Sequence, residues 1–187
     1  MRITVLDGFA QADGSSATIQ TLQENAGGNG HLMDVIPLRE LDIAPCIGCF
    51  GCWTKTPGSC IIKDAAADVT KAFIRSDLVV LLTPITFGGY SSTLKRALDR
   101  SIGLIRPEFH KTSGEVHHRV RYTSYPRLLG LGLIDKLDED QESTFKHLVS
   151  RNAINLFAKE ARSVIVHGND SASMKAEKLA SAMRGWR

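Results

Sequence analysis

Short apolar runs alternate with amphipathic segments along the chain. Residues 3–6 and 78–82 are rich in β-branched and other apolar side chains and end at turn-forming residues, as expected for strands buried on both faces. Similar runs occupy residues 128–134 and 163–166, and residues 31–36 have the weaker pattern of an edge strand. The pattern therefore predicts five strands.

The segments between and after these runs have the periodicity of helices. Asp64 and Ser91 stand where a side chain caps a helix N-terminus. Strands that alternate with helices predict an α/β fold, here a doubly wound, five-stranded parallel sheet of order 2-1-3-4-5, which binds ligands beyond the carboxyl ends of its strands. The predicted helices cover residues 16–25, 64–76, 91–105, 139–160 and 172–184.

Two segments are too long to be simple connections. Residues 37–63 contain every cysteine of the chain, and residues 106–127 combine basic and aromatic side chains. Insertions of this size commonly carry function. We expect a cysteine-rich insertion and an extra loop on a single domain over residues 1–187, because the length suits one domain. We expect His117 and His118 to lie in that loop or at the surface rather than to act in catalysis.

Composition and charge exclude several classes of protein. Apolar residues make up 43% and charged residues 23%, so the chain can bury a core and is not a disordered tail. The net charge of +3 is spread along the chain, which argues against a nucleic-acid partner. The longest apolar run is far shorter than the roughly 18 residues that cross a bilayer, and no secretory signal is visible. We expect a cytoplasmic protein with no membrane partner.

The four cysteines follow the pattern Cys46-x2-Cys49-x2-Cys52-x7-Cys60. Thiolates from one short, turning segment suit a [4Fe-4S] cluster. Zinc is a second possibility, although its structural sites usually combine two CxxC pairs across a longer loop. Disulfides come third, since nothing indicates an oxidising compartment. A cluster of structural or redox-sensing thiols without metal stays open as an alternative.

Two loops have features of a flavin site. Residues 7–16 lead from the first strand into the first helix, where free backbone N–H groups and the helix dipole attract a phosphate, with Gly14 allowing close approach. The spacing is neither a GxGxxG nor a Walker motif. Residues 83–91 leave the central strand, and amides at the pair Gly88-Gly89 can face the edge of a flavin ring. Helix capping and an ordinary strand-to-helix turn would explain the same residues.

The chain resembles the NAD(P)H-dependent FMN reductase family. The resemblance rests on residues 46–53, 60–64, 83–89 and 94–100. Within this family the chain is most similar to the iron-sulfur flavoproteins, whose cysteine motif has the spacing CX2CX2CX4–7C. The similarity covers about the first 105 residues by motif and the remainder by the order of strands and helices.

This resemblance implies a flavodoxin-like fold, an FMN cofactor and a set of ligand residues. The family assembles as dimers or tetramers with flavin at subunit contacts, so we expect a homodimer or homotetramer. The implied phosphate ligands are Ser15, Ser16 and Thr18. The implied ring loop, entered through Thr83, is Pro84, Ile85, Thr86, Phe87 and Gly88. The implied ligands of a [4Fe-4S] cluster are Cys46, Cys49, Cys52 and Cys60.

The chain also departs from the family pattern in its flavin loops. Phe9 and Gln11 stand where the family commonly has a Ser and a basic residue, so the motif gives the phosphate no cation. Thr86 stands where a Tyr is frequent, and a more open flavin face follows. Weaker FMN binding, or compensation from a neighbouring subunit, is the expected consequence.

We expect an FMN-dependent oxidoreductase that takes electrons from NAD(P)H or a ferredoxin-like donor. Its acceptor would be a small molecule such as a quinone, a nitro compound or an oxygen species, reached through the cluster where one is present. Because the flavin carries the chemistry, no catalytic side chain is predicted. One alternative is an electron carrier or redox sensor without turnover. A further alternative is a metal-binding module that lacks flavin.

Overall fold

A five-stranded parallel sheet forms the centre of the molecule. The computed structural model describes residues 1–112 and 114–186. The sheet order is β2-β1-β3-β6-β7, which confirms the predicted order 2-1-3-4-5, since β6 and β7 are the fourth and fifth strands of this sheet. The strands are β1 (Arg2–Asp7), β2 (Leu32–Pro37), β3 (Leu78–Pro84), β6 (Arg127–Ile134) and β7 (Ala161–His167), with β4 (Ile105–Thr112) and β5 (Glu115–Val120) outside the sheet.

Helices cover both faces of this sheet, and the five predicted helices are present. The predicted helix over residues 91–105 is divided into α4 and a following 3-10 helix, and α5 ends five residues before its predicted end at residue 160. The helices are α1 (Asp13–Gly28), α2 (Gly51–Thr54), α3 (Ala66–Arg75), α4 (Ser92–Asp99), α5 (Glu139–Asn155) and α6 (Ala172–Met183), with 3-10 helices at Leu38–Glu40 and Arg100–Leu104.

The central strand β3 contributes to two apolar cores. Val79 and Leu81 pack on the face covered by α3, α4 and α5, whereas Leu78, Val80 and Leu82 pack on the face covered by α1 and α6. All five side chains are fully buried, and each stabilises the fold by roughly 1.5–3 kcal/mol relative to an exposed position. The uninterrupted apolar run in the sequence is the result of burial on both faces.

Glycines in β6 allow α5 to pack closely on the sheet. A Cβ at Gly130 would lie 2.3 Å from Val149 Cγ2, and a Cβ at Gly132 would lie 2.6 Å from Ile85 Cδ1. Both distances are far below a van der Waals contact. In the Leu-Gly-Leu-Gly-Leu pattern of this strand, the leucines therefore fill one face of the sheet, and the glycines leave room on the other face for side chains of neighbouring elements.

The two predicted capping residues do bind helix N-termini. Ser91 Oγ accepts a hydrogen bond from the Leu94 amide at 3.2 Å at the start of α4. Asp64 accepts one from the Ala66 amide at 3.0 Å at the start of α3, and another from the Ala44 amide at 3.0 Å. Asp64 thus ties the cysteine-rich insertion, which lies between β2 and α3, to the body of the fold.

The prediction of an extra loop over residues 106–127 is wrong, because β4 and β5 form an antiparallel hairpin there. His117 of β5 is 7% exposed and hydrogen-bonds to Asn155 Oδ1 at 3.1 Å, so it is not a surface residue. In β5 the buried side chain is His117, and an apolar alternation is absent from that strand for this reason. Ser113 and Arg187, which belong to the predicted extra loop and domain, lie outside the described residues. Within the described ranges, no helix has both the length and the apolar character that crossing a membrane requires.

Candidate flavin and cysteine sites

The loops after β1 and β3 lie side by side at the carboxyl edge of the sheet. The Gly8 amide donates to the Leu82 carbonyl at 2.8 Å, and Ser91 Oγ donates to the Gly8 carbonyl at 2.6 Å. A Cβ on Gly8 would lie 2.6 Å from Leu94 Cβ, so this contact requires glycine. Both predicted loops therefore border the part of the sheet edge where doubly wound folds bind ligands.

The N-terminus of α1 offers backbone donors, but the three predicted hydroxyls differ in exposure. The helix begins at Asp13 without a side-chain cap, which leaves its first amides available to an anion. Ser16 is exposed. Ser15 is 1% exposed and donates to Asp7 Oδ2 at 2.9 Å, and Thr18 is also buried. Ser16 and the backbone amides are thus the accessible donors among the predicted group.

A buried ion pair between Asp7 and Arg39 lies beside this loop and was missed by sequence reasoning. The Asp7 carboxylate is fully buried and accepts from the Phe9 amide at 3.1 Å and from Arg39 Nη1. Arg39 follows β2, the parallel neighbour of β1, so the ends of both strands meet at one edge. The only signal in the sequence was an acidic residue that closes an apolar strand. The tertiary structure thus brings to the loop a cation that the motif lacks.

Thr83 fixes the shape of the second loop. Its side chain is fully buried, accepts from the Ser91 amide at 2.9 Å and donates to the Pro84 carbonyl at 2.9 Å. The Ile85 amide donates to the Leu133 carbonyl at 2.8 Å. Because its polar groups bind the loop itself, Thr83 holds the backbone rather than presenting a hydroxyl to a ligand.

The tip of the second loop combines exposure with backbone strain. Phe87 is 95% exposed. Its φ of 50° is a left-handed conformation that non-glycine residues rarely adopt. A tight turn closes the tip, with the Gly89 amide donating to the Thr86 carbonyl at 2.8 Å and the Gly88 amide to Gln141 Oε1 at 3.2 Å. Strain at an exposed apolar tip is typical of a functional loop.

The four cysteines line one small cavity that is partly open to solvent. Cys52 is buried, Cys60 is partly buried, and Cys46 and Cys49 are exposed. The first three cysteines are three residues apart in the sequence. Left-handed conformations at Gly48 and Phe50 turn the backbone so that all three line the same cavity. The other residues that line the cavity are Ile47, Gly48, Phe50, Ile62, Arg100 and Ile102.

The four cysteine side chains form one set of possible metal ligands. Burial raises the pKa of the Cys52 thiol, and the charges of Cys60, Cys46 and Cys49 raise it further, so the sulfurs are close enough to repel one another as thiolates. Across the described residues, no three His, Cys, Asp or Glu side chains are arranged to hold a single metal ion. Four thiols around one largely apolar cavity are a donor set that a four-iron cluster takes, and zinc accepts the same donor set.

Aromatic rings connect the cysteine segment, residues 44–62, to the β4–β5 hairpin. Phe50 stacks on Trp53 with ring centroids 5.2 Å apart, Trp53 lies 4.7 Å from the His118 ring, and His118 lies 4.5 Å from the Phe109 ring. Trp53 Nε1 donates to the Ile105 carbonyl at 3.0 Å. The tryptophan therefore fastens the insertion to the body of the fold, which is the packing role that a tryptophan beside cysteines more often has.

A family model for NADPH-dependent FMN reductase matches residues 1–116, more than half of the 187 residues. The chain belongs to the NADPH-dependent FMN reductase family. The matched residues contain both predicted flavin loops and all four cysteines. The resemblance that the motifs indicated is confirmed.

A curated relative of this FMN reductase family member is an iron-sulfur flavoprotein of Methanocaldococcus jannaschii. The two are 31% identical over 102 residues, which are 54% of this chain and 52% of the relative. The chain thus matches about half the length of that protein.

Solved structures resemble this FMN reductase family member over nearly its whole length. An NAD(P)H:quinone oxidoreductase from Methanothermobacter marburgensis matches with a TM-score of 0.71 and 16% identity, covering 100% of this chain and 98% of that one. An FMN-dependent NADH-azoreductase from Bacillus anthracis, solved in complex with FMN, matches with a TM-score of 0.69 and 13% identity, covering 97% and 95%. At these identities the likeness shows the fold alone, and the predicted flavodoxin-like fold is confirmed.

Proposed function

We propose that this protein is an FMN-dependent oxidoreductase. It takes electrons from NAD(P)H or a ferredoxin-like donor and passes them to a small acceptor such as a quinone, a nitro compound or an oxygen species. The observation that carries this proposal is that both flavin loops border one sheet edge within the family match. The names of the structural neighbours, a quinone oxidoreductase and an azoreductase holding FMN, support it.

The FMN phosphate is assigned to the N-terminus of α1. The uncapped amides of the first turn and the exposed Ser16 hydroxyl bind it, while the buried Ser15 and Thr18 shape the helix start. Arg39 lies beside this loop, and its pairing with Asp7 offsets the repulsion that a buried carboxylate would otherwise exert on a phosphate.

The flavin ring is assigned to the loop over residues 84–88. The amides of Gly88 and Gly89 are occupied by Gln141 and by the turn itself, so the Phe87 amide is the backbone donor that we assign to the ring edge. Bound FMN supplies the chemistry, because it accepts two electrons and releases them singly. The chain's own residues position the ring, and Thr83 and Ser91 keep the loop in shape.

The cysteine cavity is assigned to a [4Fe-4S] cluster held by Cys46, Cys49, Cys52 and Cys60. The four thiols that line one largely apolar cavity support this assignment, as does the name of the relative in Methanocaldococcus jannaschii. The cluster would exchange single electrons with the flavin or with a ferredoxin-like donor. A single zinc ion and metal-free thiols are the competing outcomes.

The remaining assignments concern the whole protein. We assign it one FMN-binding domain over residues 1–187, a homodimeric or homotetrameric assembly and a cytoplasmic location. The apolar Phe87 at an exposed loop tip favours a subunit contact next to the flavin, since a side chain that is 95% exposed gains by being covered.

An absorption spectrum of anaerobically purified protein tests both cofactors. Oxidised flavin bands with a broad iron-sulfur shoulder, and about four irons and four sulfides per chain, are the expected result. Flavin without iron would leave an FMN reductase whose cysteines are structural or redox-sensing. Failure to bind FMN on reconstitution would refute the oxidoreductase assignment. Oxidation of NAD(P)H with an added quinone then separates an enzyme from an electron carrier.

Cys49→Ala is the matched variant for the metal. Cys49 is exposed and lies outside the sheet, so this change should remove iron and leave both the fold and the FMN content intact. Iron retained at the wild-type level in this variant would contradict the four-cysteine assignment.

A further inference from the structure

Arg100 is a fully buried cation in the wall of the cysteine cavity. Its side chain is 0% exposed and pairs with Asp64, Nη1 at 2.7 Å from Oδ2 and Nη2 at 3.0 Å from Oδ1. Nη1 also donates to the Ala44 carbonyl at 2.7 Å, and Nη2 to the Ile62 carbonyl at 3.3 Å. Both ends of the guanidinium fork are therefore occupied by groups of the cysteine-rich insertion.

The Nε–H of Arg100 is the remaining N–H donor of the guanidinium. It is buried and has no hydrogen-bond partner among the described residues. A buried donor without an acceptor is costly. Arg100 and Cys60 line the same two cavities, and the charge of Cys60 raises the pKa of Arg100. A sulfur acceptor held in the cysteine cavity would satisfy this donor.

Cys60 and Arg100 also line a second cavity, on the side of Lys71 and Tyr122. The Cys60 corner thus separates the cysteine cavity from a larger, more polar one. Seven residues separate Cys60 from Cys52, the nearest other cysteine in the sequence, whereas only two residues separate each neighbouring pair among the first three cysteines. This corner has the least local support and the greatest need of an anchor.

We propose that Arg100 is a positioning residue for the cluster, whose Nε–H donates to the Cys60 sulfur and whose charge stabilises the reduced cluster. This inference rests on the proposed [4Fe-4S] assignment. On reduction the oxidised cluster, [4Fe-4S]2+, gains one electron from an external donor to become [4Fe-4S]+, and no bond forms or breaks. A fixed cation and a hydrogen bond to a ligand sulfur both favour the form with more negative charge, and so they raise the reduction potential.

The test compares three variants of the reconstituted protein. Arg100→Gln removes the cation but leaves Asp64 buried and unpaired, so it can fail by misfolding. Asp64→Asn with Arg100→Gln removes both charges and leaves neither one buried without its partner, which separates the effect on folding from the effect on the reduction potential. Arg96→Gln is the matched control, since Arg96 is an exposed cation on α4 four residues before Arg100.

The readouts are the reduction potential from a dithionite titration followed by electron paramagnetic resonance, and the iron content. We expect the folded double variant to have a more negative potential than the wild type, and to lose the iron at the Cys60 corner on oxidation, giving about three irons per chain and a [3Fe-4S] signal. Arg96→Gln should keep the wild-type potential and iron content.

Two other results would overturn the inference in different ways. A folded double variant with the potential and iron content of the wild type would show that Arg100 only supports the fold, and the cluster assignment would stand. A reconstituted wild type without iron would remove the cluster assignment, and the role of Arg100 with it, while the FMN assignment would be unaffected.

Discussion

The flavin loops and the cysteine segment, residues 44–62, are built in opposite ways. The flavin loops leave strands that are buried on both faces, and backbone hydrogen bonds such as Gly8 to Leu82 fix their shape. The cysteine segment contains one four-residue helix and lies outside the sheet. It is attached through the Asp64–Arg100 pair and through Trp53. The first region is shaped by the fold, whereas the second depends on a few polar anchors.

The largest expected effect is therefore the loss of an anchor of the cysteine segment. Asp64→Ala leaves the Arg100 cation buried without its carboxylate, which should reduce the free energy of unfolding by about 3–5 kcal/mol. Urea denaturation measures this loss. The control is Asp68→Ala, because Asp68 is an exposed partner of Lys71 and its pair contributes little. A cost for Asp64→Ala no greater than that for Asp68→Ala would show that the pair is not an anchor.

The same pair predicts that acid weakens the cysteine segment. Burial raises the pKa of Asp64, but hydrogen bonds from Arg100 and from the Ala44 and Ala66 amides outweigh burial and lower it below its ordinary value. The stabilisation is therefore complete above the ordinary carboxyl pKa of about 3.9 and is lost as the pH falls through the lowered value. Asp64→Asn should remove this component of the acid unfolding curve. An unchanged curve would contradict it.

The next largest effect concerns the tip of the second flavin loop. Gly88 has a φ of 74°, and a Cβ there would lie 2.6 Å from Thr144 Cβ. Gly88→Val should destabilise the fold by about 1–3 kcal/mol and lower FMN affinity at least about tenfold, as measured by fluorescence titration of FMN. Gly30→Val is the control, since Gly30 has a φ of 67° with nothing near its Cβ position. FMN affinity equal in the two variants would place the ring elsewhere.

Alkaline pH should destabilise the fold through Tyr90, which lies in the second flavin loop. Burial raises the pKa of Tyr90 to about 12, although its hydroxyl bonds Asn152. Because the unfolded phenol ionises near pH 10, the fold loses about 2–3 kcal/mol of stability as the pH rises from 10 to 12. In Tyr90→Phe the urea denaturation midpoint should depend less on pH between pH 10 and 12 than it does in the wild type. A wild-type slope in the variant would show that another group is responsible.

The smallest expected effect separates helix capping from cofactor binding. Ser91→Ala removes the cap of α4 and the bond to the Gly8 carbonyl, at a cost of about 0.5–2 kcal/mol. Ser171→Ala removes a comparable cap from α6 and is the control. Thermal unfolding should give similar losses for both, and only Ser91→Ala should weaken FMN binding. Equal FMN affinity would mean that the link between the loops does not shape the site.

Local patterns located the strands and the helices, and the candidate loops at their ends. They did not locate the β4–β5 hairpin, because the buried residue of β5 is His117 rather than an apolar residue. They placed Ser15, Thr18 and Thr83 among the ligands, yet all three are buried and the hydroxyls of Ser15 and Thr83 bind inside the fold. Exposure depends on the neighbours that packing supplies, and these neighbours are distant in the sequence.

The sequence by itself determined the order of elements, the family and the cysteine spacing, because each is encoded in residues close together along the chain. Only the tertiary structure paired Asp7 with Arg39, 32 residues away, and Asp64 with Arg100, 36 residues away. It also placed the Arg100 guanidinium in the wall of the cysteine cavity. A buried charge needs a partner in space rather than in sequence, and the parallel sheet brings such partners to one edge by aligning the ends of strands that are far apart in the chain.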